Sequence, residues 1–373
     1  MDVTKKRIGI IGGGQLGKMM ILEAKRLGFR IVTLDPEPNC PSRSMSDELI
    51  VADLDDEAAY RELASKTDVI TYEWELISVA ALKKLEEEGH VIYPSVRSLE
   101  IIQDKYTQKL ALKNAGIPVP EFRRVQSIGD IDVGMLKTTK GGYDGKGTAL
   151  IRSKSEIETA YNSLGGGKKE LMIEQFIDFD KEISIIACRA TDGANVIYPI
   201  AENYHQNSIL DTTIVPARIN AETAKKALAI TEKVMEIFEG VGTFCVEMFV
   251  TKDGGIYVNE IAPRPHNSGH YTIEGCFANQ FENHIRAIAE LPFGNVSLKQ
   301  PTVMVNLLGE SSGVPALTGL EQAYRENSNI RVHLYGKEES KKGRKMGHFT
   351  VIDETVEGAI AGAENAKKII KVT

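Results

Sequence analysis

Two glutamates have the type and spacing for cation chemistry. In the run "CVEMFVTKDGGIYVNEIAPRPHNSGH", Cys245 to His270, alternating apolar residues flank Asp253-Gly254, a two-residue hairpin signal that sets Glu247 opposite Glu260. Directly opposed Cβ atoms stand about 4.5–5.5 Å apart and like charges there repel, so two carboxylates in this arrangement favour a cation between them. Oxygen donors alone point to Mg2+, with Mn2+ as a substitute, shared with substrate phosphates. Strand alternation puts Asn259 on the opposite face, but a strand ending at "APRP" lets it turn in as a third ligand. The same pattern also fits two exposed glutamates separated by water, or a hairpin displaced by one residue.

The stretch "LKTTKGGYDGKGTALI" places glycines and lysines between two strand-like runs. That composition suits a mobile hairpin loop laying backbone N–H groups and an ammonium over phosphates, with Lys137 ending the preceding strand and pointing at the same space. It is not a Walker A loop: Lys140 stands where the first glycine belongs, and Gly147 replaces the Ser or Thr after "GK". A plain glycine turn is the alternative. A third stretch, "LMIEQFIDFDKEISIIACR", carries Glu174 and Glu182. Its backbone near Glu174 to Ile177 suits an adenine edge and a carboxylate suits ribose hydroxyls, although solvated strand-end glutamates account for the composition equally simply.

Near the N-terminus, "RIGIIGGGQLGKMM" sets Gly12, Gly14 and Gly17 at G-x-G-x-x-G spacing after an apolar run, with Asp35 following the second strand. This matches a dinucleotide fingerprint, and it equally presents a helix start to some other anion.

The elements that must position these residues alternate over the first ~95 residues: "RIGII", "QLGKMMILEAKRL", "RIVTL", "DDEAAYRELASK", "DVITYE", "SVAALKKLEEE", "VIYPS". Strand–helix alternation predicts a doubly wound α/β domain with a parallel sheet. "SLEIIQDKYTQKLALKNAG" reads as one helix stopping at Gly116, and the prolines of "IPVPEF" hold the following chain extended. Domains are expected at 1–115, 116–299 and 300–373. The second is α+β, with a lid about 120–180 and a catalytic part about 181–299; the third is a small strand-rich unit after the break at Pro292. The chain has 373 residues, 42% of them apolar, and a formal charge of −7, which argues against a broad grip on nucleic acid and leaves small anions as partners. Cys40, Cys188, Cys245 and Cys276 are scattered without a C-x-x-C pair, so neither a disulfide framework nor a thiolate zinc site is expected. The apolar run behind "KKR" is too short for a signal peptide or a membrane span, so a cytoplasmic protein is expected.

Taken together, "KGGYDGKGT", "MIEQFI", "CVEMFV…VNEIAPRPHNSGH" and "GRKMGH" resemble the ATP-grasp superfamily and, within it, the N5-carboxyaminoimidazole ribonucleotide synthetase family. The likeness runs from Arg7 to about Asp353. It implies a Rossmann-like N-terminal domain, an ATP-grasp domain and a small C-terminal domain. The implied reaction phosphorylates bicarbonate with ATP to carboxyphosphate, which then carboxylates the amine of 5-aminoimidazole ribonucleotide; the enzyme is implied to be a homodimer. By motif position, Lys105 and Lys137 are implied to hold ATP phosphates, with Gly142, Tyr143, Asp144, Gly145, Lys146, Gly147 and Thr148 as the lid. Glu174, Gln175, Phe176, Ile177, Glu182 and His205 are implied around adenine and ribose. Glu247, Glu260 and Asn259 are implied as metal ligands, the last two also touching the nucleotide. Arg264, His266 and Asn267 are implied at the reacting carboxyl group, an arginine fork suiting a planar oxyanion. Tyr143 and Asp144 are implied near the aminoimidazole, Asp144 managing its proton, and Lys345 with Arg344 at the 5′-phosphate or the intermediate. Gly14, Gln15, Leu16 and Glu73 are then expected to face the ribonucleotide. The competing readings are an NAD(P)-dependent oxidoreductase built on the opening loop, and a grasp-fold relative using formate and a glycinamide substrate.

Overall fold

The structure is a computed structural model that describes residues 5–142 and 145–373. Tyr143 and Asp144 lie outside the described residues. The chain opens as β1 (Arg7–Ile11), α1 (Gln15–Arg26), β2 (Arg30–Asp35), β3 (Glu48–Val51), α2 (Glu57–Lys66), β4 (Val69–Tyr72) and α3 (Val79–Glu87). The four strands form a parallel sheet in the order β3-β2-β1-β4. Apolar residues alternate across β1 toward two different cores: Ile8 and Ile10 pack with α1, while Ile11 joins Tyr60, Leu63 and Leu82 of α2 and α3. The short strand β3 is missing from the sequence reading, because "ELIV" follows a turn-rich segment where the alternation leads one to expect a helix.

The stretch read as one helix is two: α4 (Val96–Gln103) and α5 (Lys105–Asn114). Asp104 breaks it. Its backbone is extended, at φ −102° and ψ 107°, and its carboxylate accepts from the Thr107 N–H as an N-cap. Lys105 therefore becomes the first residue of a new helix instead of an interior position of a long one.

Beyond α5 come β5 (Phe122–Val125), β6 (Gly134–Thr138), β7 (Thr148–Ile151), α6 (Ile157–Ser163) and β8 (Leu171–Glu174). These strands make an antiparallel sheet, β5-β8-β6-β7, backed by α6 through Leu136, Ile151, Ala160 and Ile173. Next follow β9 (Phe179–Arg189), β10 (Asn195–Ile197), β11 (Ala201–Gln206), β12 (Ile209–Val215), α7 (Ala221–Phe238), β13 (Gly242–Thr251), β14 (Ile256–Ala262), α8 (Thr272–Gly275) and α9 (Gln280–Ile288). The chain ends with β15 (Thr302–Leu308), β16 (Leu317–Thr318), α10 (Leu320–Glu326), β17 (Ile330–Leu334), β18 (Lys345–Ile352), α11 (Val356–Ile369) and β19 (Lys371–Val372). The strands after Pro292 do not stand apart: β15, β18 and β17 extend the large sheet in the order β14-β13-β9-β11-β12-β15-β18-β17. One face of this sheet is apolar, with Ile183, Ile185, Val246, Met248 and Val258 packed on α5 and α7. The residues alternating with them look the other way and supply the polar site.

Candidate active site

Glu247 and Glu260 are paired across the β13–β14 ladder. They arrive there by a route the two-residue turn does not describe. Near the turn the pairs are Val250 with Ile256, Phe249 with Tyr257 and Met248 with Val258, so the loop has three residues, Lys252 to Gly254, with Gly254 left-handed at φ +79°. A bulge between Met248 and Glu247 then absorbs Asn259 as the extra residue of β14 and brings Glu260 opposite Glu247. The bulge, and not the end of the strand, is what turns Asn259 inward: its Oδ1 lies 3.5 Å from Lys137 Nζ of the smaller sheet.

Charges are layered across this cleft. Lys105 Nζ donates to Glu260 and holds its proton more firmly than usual: burial acts against the charge, but Glu260 outweighs it. Lys137 lies 2.6 Å from Glu174, which is 3% exposed and also has Lys109 Nζ at 3.4 Å. Glu174 is thus no solvated strand-end carboxylate; it is a buried counter-ion between two lysines. Lys109, absent from the sequence reading, donates to Val258 O at 3.0 Å, and burial lowers its pKa to about 8. Its position one helical turn after Lys105, on the same face of α5, is the signal that could have found it.

Glu182, inside β9 and not at its end, accepts from His205 Nδ1. Burial pulls the His205 pKa down, yet the bond to Glu182 and the charges of Glu182 and Glu247 leave it raised. Glu247 has its carboxyl pushed up to about 7 by burial, eased by His205 and reinforced by the charges of Glu260 and Glu182. Two opposed carboxylates with an inward carboxamide oxygen beside them are a donor set that fits Mg2+.

Beyond the strand, Arg264 is 9% exposed and gives Nε and Nη2 to both oxygens of Glu75, the latter at 2.8 Å, and Nη1 to Pro265 O at 3.1 Å. Glu75 is a further residue not found from sequence, although it follows β4 at the carboxyl end of a parallel sheet, where open α/β sheets place their sites. His266 sets Nε2 3.4 Å from Glu247 and Nδ1 2.9 Å from Ser268 Oγ. Burial, and after it the nearby Arg264 and Lys345 charges, hold its pKa well below the ordinary value, so it is neutral. Asn267 differs from expectation. Its carboxamide exchanges two hydrogen bonds with Asn306, at 3.0 and 2.7 Å, because a buried turn must satisfy its own polar atoms; it is a structural clasp and not a group facing the reacting carboxyl. Lys345 bears electrostatically on His205 and His266, whereas Arg344 is exposed and donates to Glu339 O at 2.8 Å.

The phosphate loop returns on itself: Thr138 N–H donates to Gly147 O at 2.9 Å, and Thr148 Oγ1 to Gly145 O at 2.9 Å. Gly145, at φ +75°, has no room for a side chain, since a Cβ there would lie 2.3 Å from Ser208 Cβ of the β11–β12 turn. Gln175 N–H donates to Glu121 O at 2.8 Å, Phe176 is exposed and Ile177 is buried, in the link from β8 to β9. Lys146 lies in the described part of the loop.

At the opening loop the anion is the protein's own. The Glu73 carboxylate accepts from Gly14 N–H and, at 2.5 Å, from Gly17 N–H, while Asp35 takes Gly13 N–H at 2.6 Å. The helix start is therefore not free for an external phosphate, contrary to expectation. The fingerprint also loses its dinucleotide reading, because a pyrophosphate would need those same N–H groups. Leu16 is buried in the α1–α9 core and presents nothing to a ligand; Gln15, half-buried, and Glu73 remain at the surface of the cleft. Burial raises the pKa of Glu73 despite its two amide donors.

Comparison with known proteins gives a consistent result. Residues 5–103 match the ribonucleotide synthetase preATP-grasp domain, 110–281 the ATP-grasp domain and 302–361 the phosphoribosylaminoimidazole carboxylase C-terminal domain. N5-carboxyaminoimidazole ribonucleotide synthase of Staphylococcus epidermidis is 42% identical over 359 residues, which is 94% of this chain and 93% of that one. The crystal structure of N5-carboxyaminoimidazole ribonucleotide synthetase from Thermotoga maritima is 48% identical and superposes with a TM-score of 0.91 over 99% of both chains. N5-carboxyaminoimidazole synthase from Aspergillus clavatus, solved in complex with ADP and 5-aminoimidazole ribonucleotide, is 32% identical with a TM-score of 0.89, covering 98% of this chain and 99% of that one.

Proposed function

The chain belongs to the N5-carboxyaminoimidazole ribonucleotide synthase family of ATP-grasp ligases, and from that premise we propose how its residues divide the work of carboxylating 5-aminoimidazole ribonucleotide with ATP and bicarbonate in purine biosynthesis. The observation that carries the division is the opposed Glu247–Glu260 pair, with Asn259 bulged in beside it, facing a sheet that bears Lys137. Glu247, Glu260 and Asn259 hold Mg2+, which when bound neutralises phosphate charge.

Lys105 and Lys137 present two ammonium groups at the mouth of the carboxylate pair, where the β- and γ-phosphates lie, and their counter-ions Glu260 and Glu174 keep them there. The Gly142–Thr148 loop covers the phosphates and excludes water from a carboxyphosphate that water would destroy. Glu182 takes the ribose hydroxyls, and the 175–177 link borders adenine. Arg264 has three of its five N–H donors engaged by Glu75 and Pro265, so two remain for the bicarbonate oxyanion. His266, kept neutral, accepts a proton or a hydrogen bond beside it. Gln15 and Glu73 border the ribonucleotide, with Lys345, backed by Arg344, toward its 5′-phosphate. A cytoplasmic homodimer is part of the same proposal. No helix among the described residues is long and apolar enough to cross a membrane.

Glu260→Gln tests the division. It keeps the shape and removes one charge, so ADP release should fall roughly a hundredfold, as for loss of a major electrostatic group at a reacting centre. Wild-type ADP release by this variant would remove the metal assignment.

A further inference from the structure

Behind the oxygen ligands lies a softer donor set. Cys245 and Glu247 alternate on the same face of β13, and His266 leans over them from the loop after β14. One ligand atom from each of the three lies within 4.8 Å of the others, the one such trio among the described residues. We propose that Cys245, Glu247 and His266 form a second, thiolate-containing site for a borderline-soft divalent cation of the zinc or cobalt class, distinct from the oxygen-ligated Mg2+ position and sharing Glu247 with it.

Donor chemistry sets the class. Sulfur, imidazole and one carboxylate suit zinc, and three protein ligands leave a fourth position open, whereas Mg2+ has little use for a thiol or an imidazole. Contraction from the observed spacing to metal–ligand distances of about 2.0–2.3 Å asks for small side-chain movements within two adjacent elements. Supporting groups are in place. Ser268 Oγ lies 2.9 Å from His266 Nδ1 and 3.8 Å from Cys245 Sγ, Ser184 Oγ donates to Ser268 at 2.7 Å, and Asn203 donates to Ser184 at 2.8 Å. His266 Nδ1 accepts from the Ser268 N–H at 3.3 Å, which leaves the proton of the neutral ring on Nε2 toward Glu247; ligation through Nε2 therefore moves that proton to Nδ1, where Ser268 Oγ at 2.9 Å takes it as a hydrogen bond. The Cys245 thiol, buried and in its neutral form, loses its proton to solvent as the Sγ–metal bond forms. Entry is from the cleft, where the side chains of Glu247 and His266 are 24% and 18% exposed.

Occupation of this site draws Glu247 away from Glu260, so the cation inhibits the ligase. That consequence rests on the Mg2+ assignment above; the binding itself does not. The experiment therefore has two arms on the full chain. Cobalt(II) alone, titrated into metal-stripped protein, should produce a saturable thiolate-to-cobalt charge-transfer absorption that Cys245→Ser lacks. Separately, zinc should inhibit Mg2+-dependent ADP release, and Cys245→Ala should require at least about tenfold more zinc for the same inhibition. A wild-type spectrum without the charge-transfer band, or a band that survives in Cys245→Ser, overturns the site. Equal zinc sensitivity in Cys245→Ala and wild type overturns its role in inhibition even if cobalt binds.

Discussion

At the scale of single residues, the centre is governed by buried charge held in alternation: Arg264 on Glu75, Lys105 on Glu260, and Lys137 and Lys109 on Glu174. Glu247 has no lysine or arginine ion pair among the described residues, and its carboxyl is raised to about 7. A carboxyl raised above its unfolded value adds stability below that unfolded value, and this is lost as pH climbs through about 7. The ionised form is also the one that binds a cation. Mg2+ should therefore raise the melting temperature more at about pH 8 than at about pH 6, with apparent affinity about tenfold weaker at the lower pH. A pH-independent Mg2+ response contradicts this. Glu75 invites a second test. Glu75→Gln keeps a hydrogen-bond acceptor but removes the charge that aims Arg264, so the KM for bicarbonate should rise about tenfold while the KM for ATP stays put. The reverse pattern would mean that Arg264 does not meet the oxyanion. The family motif that follows the carboxylate strand made Arg264 visible in the sequence, but its partner lies 189 residues away across a domain boundary, beyond the reach of any local pattern.

At the scale of elements, two irregularities place the ligands. The β14 bulge delivers Asn259, and the Asp104 break delivers Lys105. Neither follows from hydrophobic periodicity, which continues through both: the pairing of Glu247 with Glu260 is correctly expected from a two-residue turn, although the real three-residue loop reaches it only because the bulge adds the missing residue. The Asp104 break was open to reading, since Asp followed three residues later by Thr107 is an N-cap arrangement, but apolar spacing on both sides masks it. Asp104→Ala removes the cap. It should cost about 1 kcal/mol in denaturant unfolding and raise the KM for ATP by loosening the first turn that carries Lys105. Asp104→Asn, which still caps, should restore both. An alanine variant with unchanged ATP affinity would show that Lys105 does not depend on this break.

At the scale of the whole molecule, the site is assembled from three directions. The N-terminal sheet contributes Glu73 and Glu75, the smaller antiparallel sheet contributes Lys137 and Glu174, and the large sheet contributes the carboxylate pair and, through its C-terminal extension, Lys345. Shared cores tie these parts together. Phe281 and Ile285 of α9 pack with Met19, Met20 and Ile21 of α1, and Ile214 of β12 packs with Phe349 of β18. Strand–helix alternation was enough to read the parallel N-terminal sheet, and the motifs were enough to read the chemistry. The joining of the C-terminal strands to the large sheet was not legible, because β12 and β15 are separated by 86 residues and nothing local signals their pairing. Nor was the filling of the glycine loop by Glu73, which turns an expected ligand site into an internal tie. The central claim is that ATP cleavage here carboxylates an aminoimidazole. Isotopically labelled bicarbonate, supplied with ATP, Mg2+ and 5-aminoimidazole ribonucleotide, measures it directly when label transfer and ADP are followed together. Label should enter the ribonucleotide in equal amount to the ADP formed, with neither product when bicarbonate is replaced by formate. ADP release that persists with formate, or proceeds without labelling the ribonucleotide, would contradict the account.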